Sequence, residues 1–69
     1  MDRQQIISSN IRSAGYDPDS QVMEVEFMNG SVYRFAWVPE DVYDDLVRAW
    51  SPGKYFNQFI KGRYLSERV

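Results

Sequence analysis

Apolar and polar residues alternate most regularly between residues 21 and 38. Before the pair Asn29-Gly30, apolar residues alternate with glutamates, and after it aromatic residues alternate with Arg34 and Ala36. Apolar side chains at every second position are typical of a strand with one buried face. Asn-Gly between two such runs is typical of a tight turn. The pattern therefore predicts a β-hairpin.

The order of the side chains also predicts the register of this hairpin. A two-residue loop would place the aromatic residues of the second strand on the face of the glutamates. A three-residue loop that ends at Gly30, in the left-handed conformation, pairs Phe27 with Ser31. It collects the apolar residues of both strands on one face, and it sets Glu24 opposite Arg34. We therefore predict the three-residue loop.

A further strand is predicted before the hairpin, at residues 10–16. A turn at residues 17–20 joins the two, and the Asp17 carboxylate is placed to cap it. Gly15 indicates a bulge or a close approach of another backbone segment. The residues before Ser8 are mostly polar, and we expect them to be frayed.

Two helices are predicted after the hairpin. Pro39 suits the first position of a helix, and the apolar residues that follow it repeat with helical spacing at Val42, Leu46, Ala49 and Trp50. Ser51 and Pro52 suit the N-cap and first residue of the second helix. Its apolar stripe consists of Phe56, Phe59 and Ile60. Gly62 suits its end.

The predicted fold class is therefore α+β. It is a three-stranded antiparallel β-meander with two C-terminal helices packed on one face, in the order β-β-β-α-α. Residues 1–69 form a single domain, and its ordered core is expected at about residues 8–64.

Composition narrows the chemistry. The 69 residues include 11 aromatic residues but no Cys and no His. This excludes disulfides and removes the commonest general base and metal ligand, so we predict no enzyme, no catalytic residues, no metal and no cofactor. The acidic residues early in the first helix are interpreted as complements to its dipole. The core is expected to rest on Phe27, Phe35, Trp37, Trp50, Phe56 and Phe59.

Charge is divided unevenly along the chain. Residues 1–45 carry a net charge of −6, whereas residues 46–69 carry +4. Cations near aromatic rings are typical of proteins that bind single-stranded nucleic acid. The candidate residues for such binding are Lys54, Tyr55, Lys61, Arg63 and Tyr64. The alternative is that the cations complement the dipole at a helix C-terminus.

Several short motifs, in a particular order, resemble the KTSC domain family. They are Ser8-Ser9-x-Ile11, Gly15-Tyr16-Asp17, Val25-x-Phe27-x-Asn29-Gly30, Tyr33-x-Phe35, Val38-Pro39-x-x-Val42-Tyr43, Ala49-x-Ser51-x-Gly53-x-Tyr55-Phe56-Asn57, and Ile60. The resemblance covers roughly residues 8–64. This family is a short bacterial and phage domain that also occurs at the C-terminus of some lysyl-tRNA synthetases. Its central motif is Tyr-x-Tyr, whose second hydroxyl is absent at Phe35.

The motif residues Tyr33, Phe35, Ser51, Gly53, Phe56 and Asn57 are interpreted as structural. We expect Ser51 to cap the second helix, Gly53 to allow close packing on the sheet, and Asn57 to bond to a strand or turn. Alternatively, the segment 51–57 lines a pocket at a helix N-terminus, which favours anions. The Tyr33-x-Phe35 rings are expected to lie under the helices rather than on an open RNA-binding sheet.

Two functions remain open. The first is a small accessory domain of unestablished role that binds RNA or other single-stranded nucleic acid, a hypothesis based on the basic C-terminal region and on the family resemblance. The alternative is a protein-interaction module that uses an edge strand or the uncovered sheet face, which carries Val22, Met28, Val32 and Ala36. We expect a monomer. The polar start and the lack of a long apolar run predict a cytoplasmic protein without a membrane segment.

Overall fold

Five strands and two helices make up the computed structural model, which describes residues 1–69. The elements in chain order are β1 (Arg3–Gln5), β2 (Ile11–Asp17), β3 (Val22–Phe27), β4 (Val32–Phe35), α1 (Glu40–Arg48), α2 (Pro52–Phe59) and β5 (Ser66–Arg68). The strands form one antiparallel sheet in the order β1-β2-β3-β4-β5. Neither helix is long and apolar enough to cross a membrane.

The α+β class is confirmed, but the sheet has five strands rather than three. The two additional strands lie at its edges, and each is three residues long and exposed throughout. β1 forms where a frayed start was expected, and Ile6 directly after it is buried in the core. β5 forms at residues 66–68, beyond the end of the ordered core that was expected at about residues 8–64. Neither segment alternates apolar with polar residues, so no pattern marked it as a strand.

The hairpin of β3 and β4 has the predicted register. The Phe27 N–H donates to the Ser31 carbonyl over 2.9 Å, and Gly30 closes the three-residue loop with φ at +92°. The left-handed conformation is accessible to glycine without steric cost. Glu24 is opposite Arg34, as expected.

The open face of the sheet carries a row of opposite charges. Glu24 lies between two cations: its Oε1 is 3.2 Å from Arg3 Nη1 and its Oε2 is 2.8 Å from Arg34 Nε. Glu67 on β5 continues the row beside Arg34. The row joins residues from β1, β3, β4 and β5. A one-residue slip would break it, because each side chain would move to the opposite face.

The core lies between the other sheet face and the helices, and it is mostly aliphatic. Its buried apolar members are Ile6, Ile11, Ala14, Met23, Val25, Phe35, Val38, Leu46, Phe56 and Ile60. Of the six aromatic residues expected to form it, Phe35 and Phe56 are buried and Phe27 is half-buried. The prediction was wrong for Trp37, Trp50 and Phe59, which are exposed.

Local backbone geometry explains the two tryptophans. Trp37 has φ at +60°, so the strand alternation stops and its side chain remains 74 % exposed. α1 ends at Arg48, and Ala49 is already extended. The helical spacing that placed Trp50 on the apolar stripe therefore does not reach it. Phe59 lies on the flank of α2, where its ring centroid is 4.8 Å from that of Tyr55.

Two stacked tyrosines attach α1 to β2. The ring centroids of Tyr16 and Tyr43 are 5.4 Å apart. The Tyr16 hydroxyl donates to the Val38 carbonyl, and the Tyr43 hydroxyl donates to the Ala14 carbonyl over 3.2 Å. Burial raises the pKa of both phenols. The pair thus packs its rings against the core while both hydroxyls keep a hydrogen-bond partner.

The turn at residues 17–20 is capped as predicted. The Asp17 carboxylate accepts hydrogen bonds from the Asp19 N–H over 3.1 Å and from the Ser20 hydroxyl over 2.9 Å. Gly15 allows the close backbone approach that its position indicated. A methyl group there would lie 2.6 Å from the Asp2 carbonyl oxygen.

We predict that Gly15→Ala lowers the free energy of unfolding by about 1–3 kcal/mol, because the backbone at Asp2 must move. Gly53→Ala is the matched control. Its new methyl would meet only the Asn10 side chain, at 3.3 Å, so we expect a change within about 1 kcal/mol. Urea unfolding measures both. Equal losses would contradict the crowding at Gly15.

A second prediction concerns the aliphatic core. Leu46→Ala should destabilise the protein by about 2–5 kcal/mol, because Leu46 is completely buried. Trp50→Ala should change stability by less than about 0.5 kcal/mol, because the side chain is fully exposed. Thermal or urea unfolding distinguishes the two. A large loss for Trp50→Ala would mean that the ring is buried.

Candidate functional site

A groove of about 370 Å³ opens between α2 and the β3–β4 part of the sheet. Four aromatic rings line it: Phe27, Tyr33, Phe35 and Phe56. They meet edge to face, with the Phe27 centroid 5.9 Å from that of Tyr33 and the Phe56 centroid 5.3 Å from that of Phe27. Phe35 and Phe56 are buried, whereas the other two rings are half-buried. We call this the aromatic groove.

Polar groups surround the aromatic groove. Asn10, Asn57, Lys61 and Ser66 all contribute to its lining. Asn57 and Lys61 are exposed, and no protein group bonds to the Asn57 amide. The Tyr33 hydroxyl also has no protein partner, unlike the hydroxyls of Tyr16, Tyr43 and Tyr55. These groups are therefore free to bond to a ligand.

A second groove of about 360 Å³ continues from the first at the N-terminal end of α2. The two share three residues, Asn10, Gly53 and Asn57. Ile7 and Trp50, both almost completely exposed, also line the second groove. We call it the serine groove, because Ser8, Ser9 and Ser51 are among its lining residues.

The loop before β2 is held where the grooves meet. The Ser8 hydroxyl oxygen accepts hydrogen bonds from the N–H groups of Asn10 and Ile11 over 3.2 and 3.4 Å. The Ser9 hydroxyl donates to Asn10 Oδ1 over 3.0 Å. Gly53 leaves room for Asn10 against α2, because a methyl there would be 3.3 Å from Asn10 Nδ2. Gly53 thus allows close packing, although on this loop rather than on a strand.

The charged side chains that line these grooves are all basic. Lys61 lines the aromatic groove and Lys54 lines the serine groove, and no Asp or Glu lines either of them. All ten acidic residues lie elsewhere, in a chain whose net charge is −2. The face formed by the two grooves is therefore locally basic.

The structure separates the five candidate nucleic-acid-binding residues. Lys54 and Lys61 line the grooves, whereas Tyr55, Arg63 and Tyr64 do not. The Tyr55 hydroxyl donates to Asp45 Oδ2 over 3.4 Å, and burial together with this carboxylate raises the pKa of Tyr55. Arg63 Nε donates to the Gln58 carbonyl over 3.3 Å. Tyr64 is half-buried and packs against the core.

The six motif residues interpreted as structural come together around the grooves. Five of them line the aromatic groove: Tyr33, Phe35, Gly53, Phe56 and Asn57. Ser51 lines the serine groove. Ser51 is the N-cap residue of α2 but makes no side-chain cap bond. Asn57 makes no bond to a strand or turn, contrary to expectation. A pocket at the N-terminus of this helix was expected only as an alternative, and residues of the segment 51–57 do line the serine groove. The aromatic groove had no signal in the sequence, because it forms only when α2 packs on the sheet.

The open sheet face has a different character. A concavity of about 620 Å³ lies there, with Met1, Val22, Ala36 and Leu65 as apolar members. Arg34 and Glu67 in its lining offset each other in charge. The N-terminal residues and β5 border it, so this face is smaller than the three-stranded fold implied.

The fold and the motif residues define the class to which the chain belongs: a small α+β domain in which an antiparallel meander packs on two consecutive helices. The family model of the KTSC domain matches residues 7–64. The chain belongs to the KTSC domain family, as its motifs indicated.

Similar proteins agree with this assignment. An uncharacterised protein of Stutzerimonas stutzeri is 45 % identical over 64 residues, which cover 93 % of this chain and 90 % of that protein. A crystal structure of a KTSC domain protein from Yersinia pestis has a TM-score of 0.93 at 38 % identity, and covers 99 % of this chain and 96 % of that one. A lysine–tRNA ligase of Nostoc punctiforme is 41 % identical over 61 residues, which cover 88 % of this chain but 11 % of the ligase.

Three tyrosines should make the free energy of unfolding depend on pH in the alkaline range. Tyr16, Tyr43 and Tyr55 have pKa values raised by burial, whereas a phenol in the unfolded chain titrates near pH 10. Below about pH 10, these phenols should contribute a constant amount to the free energy of unfolding. Above it, the free energy of unfolding should fall, because the phenols of the unfolded chain lose their protons at a lower pH than those of the folded chain.

Urea unfolding from about pH 8 to about pH 11 measures this decline. In the variant Tyr55→Phe the decline should be shallower, because one of the shifted phenols is gone. An ultraviolet titration in which all five tyrosines of the folded protein ionise at the unperturbed pKa would contradict the prediction.

Proposed function

We propose that this domain binds single-stranded RNA along the face formed by the aromatic and serine grooves, and that it does so without catalysing a reaction. One observation supports this proposal most strongly: the two grooves meet at Gly53, each is lined by one lysine, and no acidic side chain lines either of them. An acidic protein that keeps one continuous face free of carboxylates provides a local electrostatic footprint for a polyanion.

The two lysines are spaced to follow a phosphate backbone. Lys54 and Lys61 are seven residues apart in sequence, on and just after α2, which corresponds to roughly 10 Å along a helix axis. Both side chains are exposed, and neither takes part in an ion pair. Their ammonium groups are therefore available to phosphates at two points of one strand.

An exposed ring beside the serine groove supports the same proposal. Trp50 is fully exposed and packs on nothing, so folding does not explain its presence there. Stacking of a base on such a ring contributes about 1–3 kcal/mol and does not depend strongly on base identity. Trp50 and Lys54 together combine a stacking surface with a cation, which is the pairing used by single-strand binders.

Three lysine–tRNA ligases contain a segment similar to this chain, at 39–41 % identity over 61 residues. By its name, such an enzyme handles tRNA. The segment accounts for 11 % of each ligase, so the ligase activity itself is not transferred to this chain. The association of the domain with an RNA-handling enzyme supports an RNA ligand.

A protein-interaction module is the second candidate. It is favoured by one observation: Leu65 is 77 % exposed beside the apolar members of the open sheet face. Charges in this concavity are balanced, so it offers no attraction to a polyanion. The two candidates therefore use opposite faces of the sheet, and of the lining residues only Ser66 borders both the aromatic groove and the concavity on the open face.

The test compares a double variant with a single control on a short single-stranded RNA. Lys54→Gln combined with Lys61→Gln should weaken binding about tenfold or more at low salt, and should reduce the slope of log affinity against log salt by about 1.4. Arg48→Gln removes a cation on α1 outside both grooves. It should leave the affinity within about twofold of the original value, because solvent and salt screen distant charges.

Fluorescence anisotropy at two or more salt concentrations measures these affinities. The proposal is wrong if the RNA does not bind, if binding is insensitive to salt, or if Arg48→Gln weakens binding as much as the lysine variant does. In the first case, the open sheet face becomes the leading candidate.

A further inference from the structure

The aromatic groove contains more than a phosphate-binding face requires. Two half-buried rings, Phe27 and Tyr33, border a floor made by the buried rings of Phe35 and Phe56. Such a concave apolar surface with a few free polar groups is typical of a site for a small planar ligand. The two lysines would bind a polyanion even if this apolar surface were absent.

We propose that the aromatic groove takes one unstacked nucleobase of the bound RNA strand, an inference that rests on the proposed function. The base stacks against the exposed part of the Tyr33 ring, its polar edge bonds to the Asn57 amide, and its phosphate lies near Lys61. All three residues line the same groove.

The dimensions of the groove fit this occupant. Its volume of about 370 Å³ is near the lower end of the range of small-molecule sites, about 300–1,000 Å³. It therefore holds a single nucleoside rather than a stack of bases. Recognition of a splayed-out base by an aromatic ring and amide groups is a common mode of single-stranded RNA binding.

The free polar groups indicate a base rather than another planar group. An asparagine amide presents both a donor and an acceptor, which matches the polar edge of a nucleobase. The Asn57 amide and the Tyr33 hydroxyl have no protein partners. The side chain of a Phe or Leu from a protein partner would leave these groups unpaired. Lys61 and the absence of acids in the groove disfavour a cationic ligand.

The experiment measures the affinity of the full chain for a short RNA and for an abasic strand of the same length. Asn57→Ala and Tyr33→Leu should each weaken RNA binding about fivefold or more, because each removes a contact to the base. Neither should change the affinity for the abasic strand, which keeps only the phosphates and sugars. Lys61→Gln should weaken binding to both strands alike.

Gln58→Ala is the matched control for Asn57→Ala. Gln58 is exposed on the same helix and lines neither groove, so its removal should leave both affinities unchanged. Asn57 is exposed and makes no bond to the protein, so its variant is expected to fold normally. Urea unfolding of Tyr33→Leu, whose side chain packs against the core, shows whether a loss of binding reflects a loss of fold.

The outcomes separate the two proposals. Salt-dependent RNA binding that is equal for the original chain, Asn57→Ala and Tyr33→Leu would overturn the base site and leave the proposed function intact. Failure of any RNA to bind would overturn both. A free nucleoside monophosphate that binds as tightly as the strand would overturn the assignment to RNA and identify the free nucleotide as the ligand.

Discussion

The register of the β3–β4 hairpin is the constraint on which the rest of the structure depends. Gly30 adopts φ of +92°, which closes a three-residue loop and pairs Phe27 with Ser31. In this register, Met23 and Val25 lie on the face that the helices cover, and Glu24 lies on the face where it meets two arginines. A shift by one residue would bury the charges and expose the core.

The same register creates the face that carries the aromatic groove. Because Tyr33 and Phe35 lie on the helix side of β4, their rings meet α2 instead of solvent, and the aromatic groove forms between them and Phe56. Phe56 thus belongs to both the core and the groove. Under the proposed function, this double role would couple ligand binding to folding, because the buried Phe56 ring is already ordered before a ligand arrives.

The sequence carried enough information for the hairpin but not for the edge strands. In β3 and β4, alternation, the glycine turn and the Glu24–Arg34 pairing all indicate one register, because one face is buried and the other is charged. β1 and β5 are exposed on every residue, so their formation depends on free hydrogen-bonding groups at the sheet edges, which no side-chain pattern encodes. Trp37 was misplaced because its positive φ interrupts the alternation.

The candidate site was only partly predictable for a related reason. Lys54 and Lys61 were selected because cations lie near aromatic rings in this part of the sequence, and each of them lines one of the two grooves. Tyr55 was grouped with them because it is adjacent in sequence, yet on a helix adjacent residues point in different directions, and its hydroxyl faces Asp45 on α1. The groove residues Tyr33 and Asn57 are 24 positions apart in the sequence. Their proximity follows from the packing of α2 on the sheet, which composition and spacing do not specify.

Chemical-shift mapping by NMR, with a short single-stranded RNA added to the isotopically labelled chain, shows directly which face of the domain the RNA contacts. We expect the largest changes at Asn10, Gly53 and Asn57, where the two grooves meet. Changes concentrated at Val22 and Ala36 on the open sheet face, with the groove residues unaffected, would contradict this expectation.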